Sequence, residues 1–289
     1  MPEIKGTKNR LPPWIRIRVN CGGAREEVNS ILAGLKLNTV CASAKCPNLS
    51  ECWHHRTATF MILGNECTRN CKFCAVEHCP HPAPPDPDEP RRLAEAAAKM
   101  NLKFVVVTSV TRDDLPDGGA AHFAAVIRAL REKLPEAGIE VLTPDFNGNR
   151  EHLGLVLAAR PSVFNHNVET VERLSASIRS KATYRRTLEV LRMAAEDGDG
   201  TPVKSGLMVG LGETDDEVLQ TLRDLREAGV NILTIGQYLP PSDAHWALAR
   251  YVEPAVFEEW GRYARKLGFT SVASAPLVRS SYRAGELAR

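Results

Sequence analysis

Six short apolar runs rich in β-branched residues, at 58–64, 104–110, 139–144, 162–168, 203–211 and 232–239, constrain this chain more than any other feature. They lack the polar alternation of a half-exposed strand and read as strands buried on both faces. Between them lie stretches with helical spacing of apolar residues, near 89–100, 119–133, 149–159, 183–196, 214–228 and 254–267. Alternating strand and helix predict an α/β fold with a parallel sheet covered by helices. Six units suit a partial (β/α)6 TIM-type barrel, an incomplete relative of the eight-fold form. An open doubly wound sheet is the other arrangement the rhythm allows.

Polar residues gather where each run ends. Thr108 to Asp114 close the second run, Pro144 to Asn147 the third and Asn165-His-Asn-Val-Glu169 the fourth. Gly210-Leu-Gly-Glu-Thr214 close the fifth and Gly236-Gln-Tyr238 the sixth. Barrel enzymes build their catalytic site from these strand ends, so the six point to one mouth. Glu213 either contributes to that mouth or serves only the helix start that Thr214 caps, with Asp215, Asp216 and Glu217 in its first turn.

The first run leads directly into Cys67-Thr-Arg-Asn-Cys71-Lys-Phe-Cys74, a C-x3-C-x2-C spacing. Three thiolates can hold three irons of a [4Fe–4S] cubane and leave the fourth open for chemistry. Structural zinc wants four ligands, usually in two pairs, so it fits this spacing less well. Three buried cysteines packed as small hydrophobes are the bland alternative. A second triplet, Cys41, Cys46 and Cys52 at C-x4-C-x5-C, matches no common zinc pattern and suggests a second cluster, again one protein ligand short. His54 and His55 lie close enough to complete a site, or are simply solvated. Cys21 and Cys79 read as free thiols without a role.

The formal net charge is only +2 in 289 residues, which disfavours nucleic acid as the main partner. No run is long enough to cross a bilayer, and Met1-Pro-Glu-Ile-Lys-Gly6 lacks the apolar core of a signal peptide. A cytoplasmic setting with reduced thiols follows, in which clustered cysteines bind metal rather than form disulfides. Lys5, Lys8, Arg10, Arg16 and Arg18 surround Pro12-Pro13-Trp14 in a basic arm, with Trp14 as its expected apolar anchor. Val28, Ile31, Leu32 and Leu35 predict a helix over 25–37. The tail Pro276-Leu-Val-Arg-Ser-Ser-Tyr-Arg283 is unusually specific for a terminus.

With these motifs in place, the chain resembles the lipoyl synthase family of radical S-adenosylmethionine (SAM) enzymes from about Pro12 to Arg283. The resemblance rests on both cysteine spacings, on Arg112-Asp-Asp-Leu-Pro-Asp-Gly-Gly119, on Phe164-Asn-His-Asn-Val-Glu-Thr170 and on Arg279-Ser-Ser-Tyr282. The chain departs from the family pattern at Ala42-Ser-Ala-Lys45, Glu172, Val203 and Trp246-Ala-Leu248. None of these is a cluster ligand, so they bear on substrate or carrier preference rather than on the reaction.

The resemblance implies two [4Fe–4S] clusters and SAM. Cys67, Cys71 and Cys74 would hold the radical-generating cluster, with Ser109, Asn165, Asn167 and Glu169 as polar contacts to SAM. Cys41, Cys46 and Cys52 would hold an auxiliary, sulfur-donating cluster, with Ser281 as its fourth ligand. The implied reaction inserts two sulfur atoms at C6 and C8 of an octanoyl-lysine. Its carrier would be a lipoyl domain or a glycine-cleavage H protein. A ferredoxin- or flavodoxin-type reductant and an iron–sulfur carrier protein are expected partners, with no nucleic acid or membrane, and the enzyme is expected to be a monomer. The resemblance divides the chain into an N-terminal extension (1–56), a partial barrel (57–270) and a C-terminal tail (271–289), with the extensions covering the open face. The competing readings are a biotin-synthase-like enzyme or methylthiotransferase, a ferredoxin-like electron carrier and a zinc-stabilised nucleic-acid module.

Overall fold

The computed structural model describes residues 11–16, 23–43, 46, 48–54 and 59–288. Lys5, Lys8, Arg10, Arg18, Cys21 and His55 lie outside the described residues, as does the side chain of His54. Within the arm, Trp14 is 37% exposed and the neighbouring Ile15 is buried, so Ile15 takes the anchoring role expected of Trp14.

Helix α1 (Gly23–Gly34) precedes strand β1 (Asn38–Thr39) and two short helices, α2 (Val40–Ser43) and α3 (Leu49–His54). Strand β2 (Thr59–Ile62) opens the main repeat, followed by a separate parallel pair, β3 (Glu66–Cys67) and β4 (Glu77–His78). The repeat continues through α4 (Glu89–Lys99), β5 (Phe104–Ser109), α5 (Ala120–Lys133), β6 (Gly138–Leu142) and α6 (Arg150–Ala158). Next come β7 (Val163–Asn165), α7 (Glu172–Ile178), α8 (Tyr184–Asp197), β8 (Val203–Val209) and α9 (Asp215–Glu227). The last elements are β9 (Ile232–Gln237), α10 (Pro254–Lys266), β10 (Ser271–Ser274) and α11 (Ala284–Leu287).

The main sheet runs β1-β2-β5-β6-β7-β8-β9-β10, with every neighbouring pair parallel except β1 with β2. All six expected strands are present, and β10 adds a seventh parallel strand that the apolar pattern did not reveal. Its Ser271-Val-Ala-Ser274 is half-buried along its length, as an edge strand can be. Helix α9 starts as the sequence predicts. The Thr214 hydroxyl accepts from the Glu217 N–H, and the Glu217 carboxylate accepts from the Thr214 N–H.

Register and pleat assign the side chains to two faces. Val105, Val107, Ile139 and Val141 are buried against the helices, among them Phe123, Ile127 and Leu130 of α5. Each such buried side chain contributes ~1.5–3 kcal/mol. The other face carries Val106 opposite Glu140, Leu142 opposite Asn165, and Asn165 opposite Lys204. Lys204 Nζ lies 2.9 Å from both Glu140 oxygens, and Asn165 Nδ2 donates to Glu140 Oε1 at 2.9 Å. Both charges are fully withdrawn from water.

The chain end crosses this inner face. A Cβ added at Gly236 of β9 would lie 2.0 Å from the Val278 carbonyl oxygen, and one added at Gly285 would lie 3.0 Å from Phe104 Cβ of β5. The tail therefore comes so close to β9 that any side chain at position 236 would push its backbone away.

Candidate active site

Cys67 ends β3, pinned by its carbonyl, which accepts from the Cys79 N–H at 2.9 Å. Its sulfur accepts from the N–H groups of Thr111 (3.3 Å) and Arg69 (3.4 Å), and Cys71 Sγ accepts from the Ser180 N–H at 3.3 Å. Burial pushes the Cys71 thiol up, against the Ser180 N–H and the Arg179 charge. Burial also lifts Cys74 to about 11, and the charges of Cys71, Cys67 and Glu169 add to the rise. Cys71 and Cys74 thus feel their neighbours. Bound iron would reverse these shifts, since a metal deprotonates its thiol ligands.

Two arginines missed by the sequence reading frame this loop. Arg69, within the C-x3-C spacing, is buried and donates to both oxygens of Asp113 (2.9 and 2.8 Å), to Asp145 (2.7 Å) and to Asn147 (3.1 Å). Burial alone would raise both carboxyls, but the bonds from Arg69 outweigh it and hold them below the usual carboxylate range. Arg179 donates to the Val168 carbonyl (3.3 Å) and the Thr187 hydroxyl (2.8 Å). Burial pulls its guanidinium down, opposed by the charges of Glu169 and Cys71. Glu169 in turn is raised by burial and pulled back by Arg179 and a bond from Asn167. Acidic and basic groups therefore face one another beside Cys71.

The strand-end residues separate by role. Asn167 Nδ2 donates to Ser280 Oγ at 3.2 Å, while its buried Oδ1 finds no hydrogen-bond donor. Asn165 spends its amide nitrogen on Glu140 and keeps an unpartnered Oδ1. Ser109 falls on the pleat face of Val105 and Val107, toward the helices, and its buried hydroxyl is unpartnered. Glu213 accepts from the N–H groups of Gly210 (2.7 Å) and Leu211 (2.9 Å), so it serves its own turn.

The second triplet sits where the N-terminal segment meets the tail. Burial raises Cys52 to about 12, with the charges of Cys41, Cys46 and Glu51 adding to the rise. Cys41 rises by burial too, opposed by Thr59. Asn48 Nδ2 donates to the Leu277 carbonyl (2.8 Å) and the Tyr282 hydroxyl donates to Glu51 (3.0 Å); burial pulls the Arg279 guanidinium down, opposed by the charge of Cys46. Ser281 thus lies between residues tied to the Cys41–Cys52 segment on one side and to Asn167 on the other. Every cysteine among the described residues is a free thiol. Among the same residues, no three Cys, His, Asp or Glu side chains converge on a single-ion site.

A model of the radical SAM superfamily matches residues 61–225. A lipoyl synthase of Methylococcus capsulatus is 57% identical over 284 residues, covering 98% of this chain and 88% of that protein. One from Rubrobacter xylanophilus is 54% identical over 275 residues, covering 95% and 85%. The chain belongs to the lipoyl synthase family. Among solved structures, methylornithine synthase superposes with a TM-score of 0.56 at 13% identity, covering 90% of this chain and 86% of that one. The [FeFe]-hydrogenase maturase HydG gives 0.58 at 16% identity over 73% and 49%. These two likenesses concern the fold, a radical SAM partial barrel.

Family membership makes this a radical SAM enzyme that uses SAM and iron–sulfur chemistry. The side chains suit both groups. Backbone N–H groups already aim at two sulfurs of the first triplet, and an unpartnered Asn167 oxygen lies near Glu169 and Arg179. No helix among the described residues is long and apolar enough to cross a membrane.

Proposed function

We infer that this chain inserts two sulfur atoms, at C6 and C8, into an octanoyl chain carried on a protein lysine, as a lipoyl synthase. The observation that carries this reading is the 57% identity to a lipoyl synthase over 98% of the chain. In our assignment Cys67, Cys71 and Cys74 hold the cluster that binds SAM. Arg179 presents its guanidinium to the SAM carboxylate, a pairing Arg makes with two parallel bonds. Glu169 accepts from the SAM amino group, and Asn167 offers its free oxygen. Asn165 shapes the floor of the same mouth, whereas Ser109, the other expected contact, turns toward the helices.

The bound cofactors supply a 5′-deoxyadenosyl radical, reactive enough to remove hydrogen from unactivated methylene carbons. The protein's part is to exclude water and to decide which carbon lies within reach. Cys41, Cys46, Cys52 and Ser281 hold the second cluster, which is the sulfur-bearing substrate. Ser281 is the hard, protonatable ligand in that set, and it marks the iron released first.

Residues 1–56 and 271–289 act as covers over the barrel of 57–270, bringing the sulfur source to its mouth. The octanoyl carrier is a lipoyl domain or a glycine-cleavage H protein. Electrons come from a ferredoxin or flavodoxin in the cytoplasm, and an iron–sulfur carrier rebuilds the spent cluster. The test is an anaerobic assay of reconstituted protein with SAM, dithionite and an octanoyl-lysyl peptide, followed by mass spectrometry. A peptide carrying two added sulfurs is expected. Unchanged peptide in the presence of loaded clusters and cleaved SAM rejects the reading.

A further inference from the structure

We propose that Arg69 is a positioning residue. It locks the turn between Cys67 and Cys71 onto the loops after β5 and β6, and thereby keeps the Thr111 N–H on the Cys67 sulfur. The inference rests on the function proposed above and concerns how that first cluster site is kept in shape.

The interlock runs through several bonds at once. The Thr68 N–H and hydroxyl both donate to the Thr111 carbonyl at 3.0 Å, and the Asp113 N–H donates back to the Thr68 hydroxyl at 3.0 Å. Arg69 then grips Asp113 with a two-pronged pair and reaches Asp145 and Asn147 across the next loop. The two loops thus meet on one buried guanidinium, whose side chain is 5% exposed. Thr111, two residues before Asp113, gives its N–H to Cys67 Sγ.

The loop after β6 is held in a costly shape to make this contact. Phe146 (φ 43°), Asn147 (φ 54°) and Gly148 (φ 76°) are three consecutive residues in the left-handed region. The Asp145 carboxylate steadies the bend by accepting from the Asn147 N–H at 3.1 Å. That arrangement puts the Asp145 and Asn147 oxygens on one Arg69 nitrogen. Outer partners extend the network, with Arg186 3.3 Å from Asp145 and Lys181 3.7 Å from Asp113. Among the described residues, no other charged side chain of the cysteine turn is fixed by so many partners. Hydrogen bonds to cluster sulfurs stabilise the more negative, reduced state, so their loss drives the potential down.

The test uses the full chain with Cys41, Cys46 and Cys52 replaced by alanine, so that only the Cys67 site is loaded. Arg69→Met, Arg69→Lys and Asp113→Asn are reconstituted anaerobically beside the parent. Iron loss to a chelator and the potential at which the reduced-cluster EPR signal appears are both measured. Arg69→Met is expected to lose iron at least tenfold faster than the parent and to need a more negative potential, with Arg69→Lys between the two. Arg186→Met, in the outer part of the network, should change the rate of iron loss less than twofold and leave the potential where the parent has it. Should Arg69→Met fail to fold, Asp113→Asn decides alone. Parent-like iron loss and potential in folded Arg69→Met, or in Asp113→Asn, overturn the proposal. A parent protein that takes up no iron at all instead rejects the cluster assignment itself.

Discussion

Removing Lys204 should cost this fold more than removing any surface charge. Its ammonium and the Glu140 carboxylate are buried on the inner sheet face, 2.9 Å apart at both oxygens, and among the described residues Asn165 is the only other donor to that carboxylate. Lys204→Met leaves the buried Glu140 without its ion-pair partner, a loss of about 3–5 kcal/mol for a broken buried pair. For a chain of this size the urea dependence is about 3 kcal/mol/M, at the upper end of the range. The unfolding midpoint of Lys204→Met should therefore fall by about 1–1.7 M. The double variant E140Q/K204M removes both charges, while the new amide oxygen still accepts from Asn165. It should recover to within about 1–2 kcal/mol of the parent. Equilibrium urea titrations followed by far-UV circular dichroism read all three proteins. A single variant within about 1 kcal/mol of the parent would refute the reasoning, as would a double variant no better than the single.

Three other outcomes follow from particular contacts. Burial, with the Arg179 charge second, pulls His166 down to about 4. The unfolded chain then binds the extra proton first, and stability present above pH ~6.5 drains away toward pH ~4, by about 3 kcal/mol; in urea titrations across that window His166→Gln should lose this part of the slope. Gly236→Ala sets a methyl against the Val278 carbonyl, an overpacking of about 1–3 kcal/mol, and trypsin should cut at Arg279 or Arg283 about tenfold faster or more. Ser281→Cys should keep the auxiliary cluster and lose sulfur insertion, and wild-type yields of lipoyl product in that variant would refute the lability of the serine-held iron.

The β/α rhythm was legible because strands buried on both faces are largely apolar, as Phe104-Val-Val-Val107 and Ile232-Leu-Thr-Ile235 are. Strand β10 and helix α7 were not, since Ser271-Val-Ala-Ser274 and Glu172-Arg-Leu-Ser-Ala-Ser-Ile178 carry too few apolar side chains to stand out. The cysteine triplets announced themselves by spacing alone. Arg69 did not, because its partners are 44, 76 and 78 residues away and a lone arginine in a polar loop reads as solvated. Lys204 and Glu140 hid inside strands for the same reason. Glu213 shows the opposite limit, where a residue at a strand end binds its own turn.

The tail explains how a terminus can stay ordered. Its links to Asn48, Glu51 and Asn167 are single hydrogen bonds, each contributing only about 1 kcal/mol. They reach different parts of the chain, so freeing any one leaves the others in place, and freeing the whole tail breaks all three together. Ser281 lies inside this span, between Ser280 and Tyr282, whose bonds go to the barrel mouth and to the Cys41–Cys52 segment respectively. In the ligand role proposed above, Ser281 would be held from both sides before any metal arrives. In that role it would release one iron while the backbone around it stays fixed. A serine on a freely fraying terminus would instead lose its place each time the bond to iron broke.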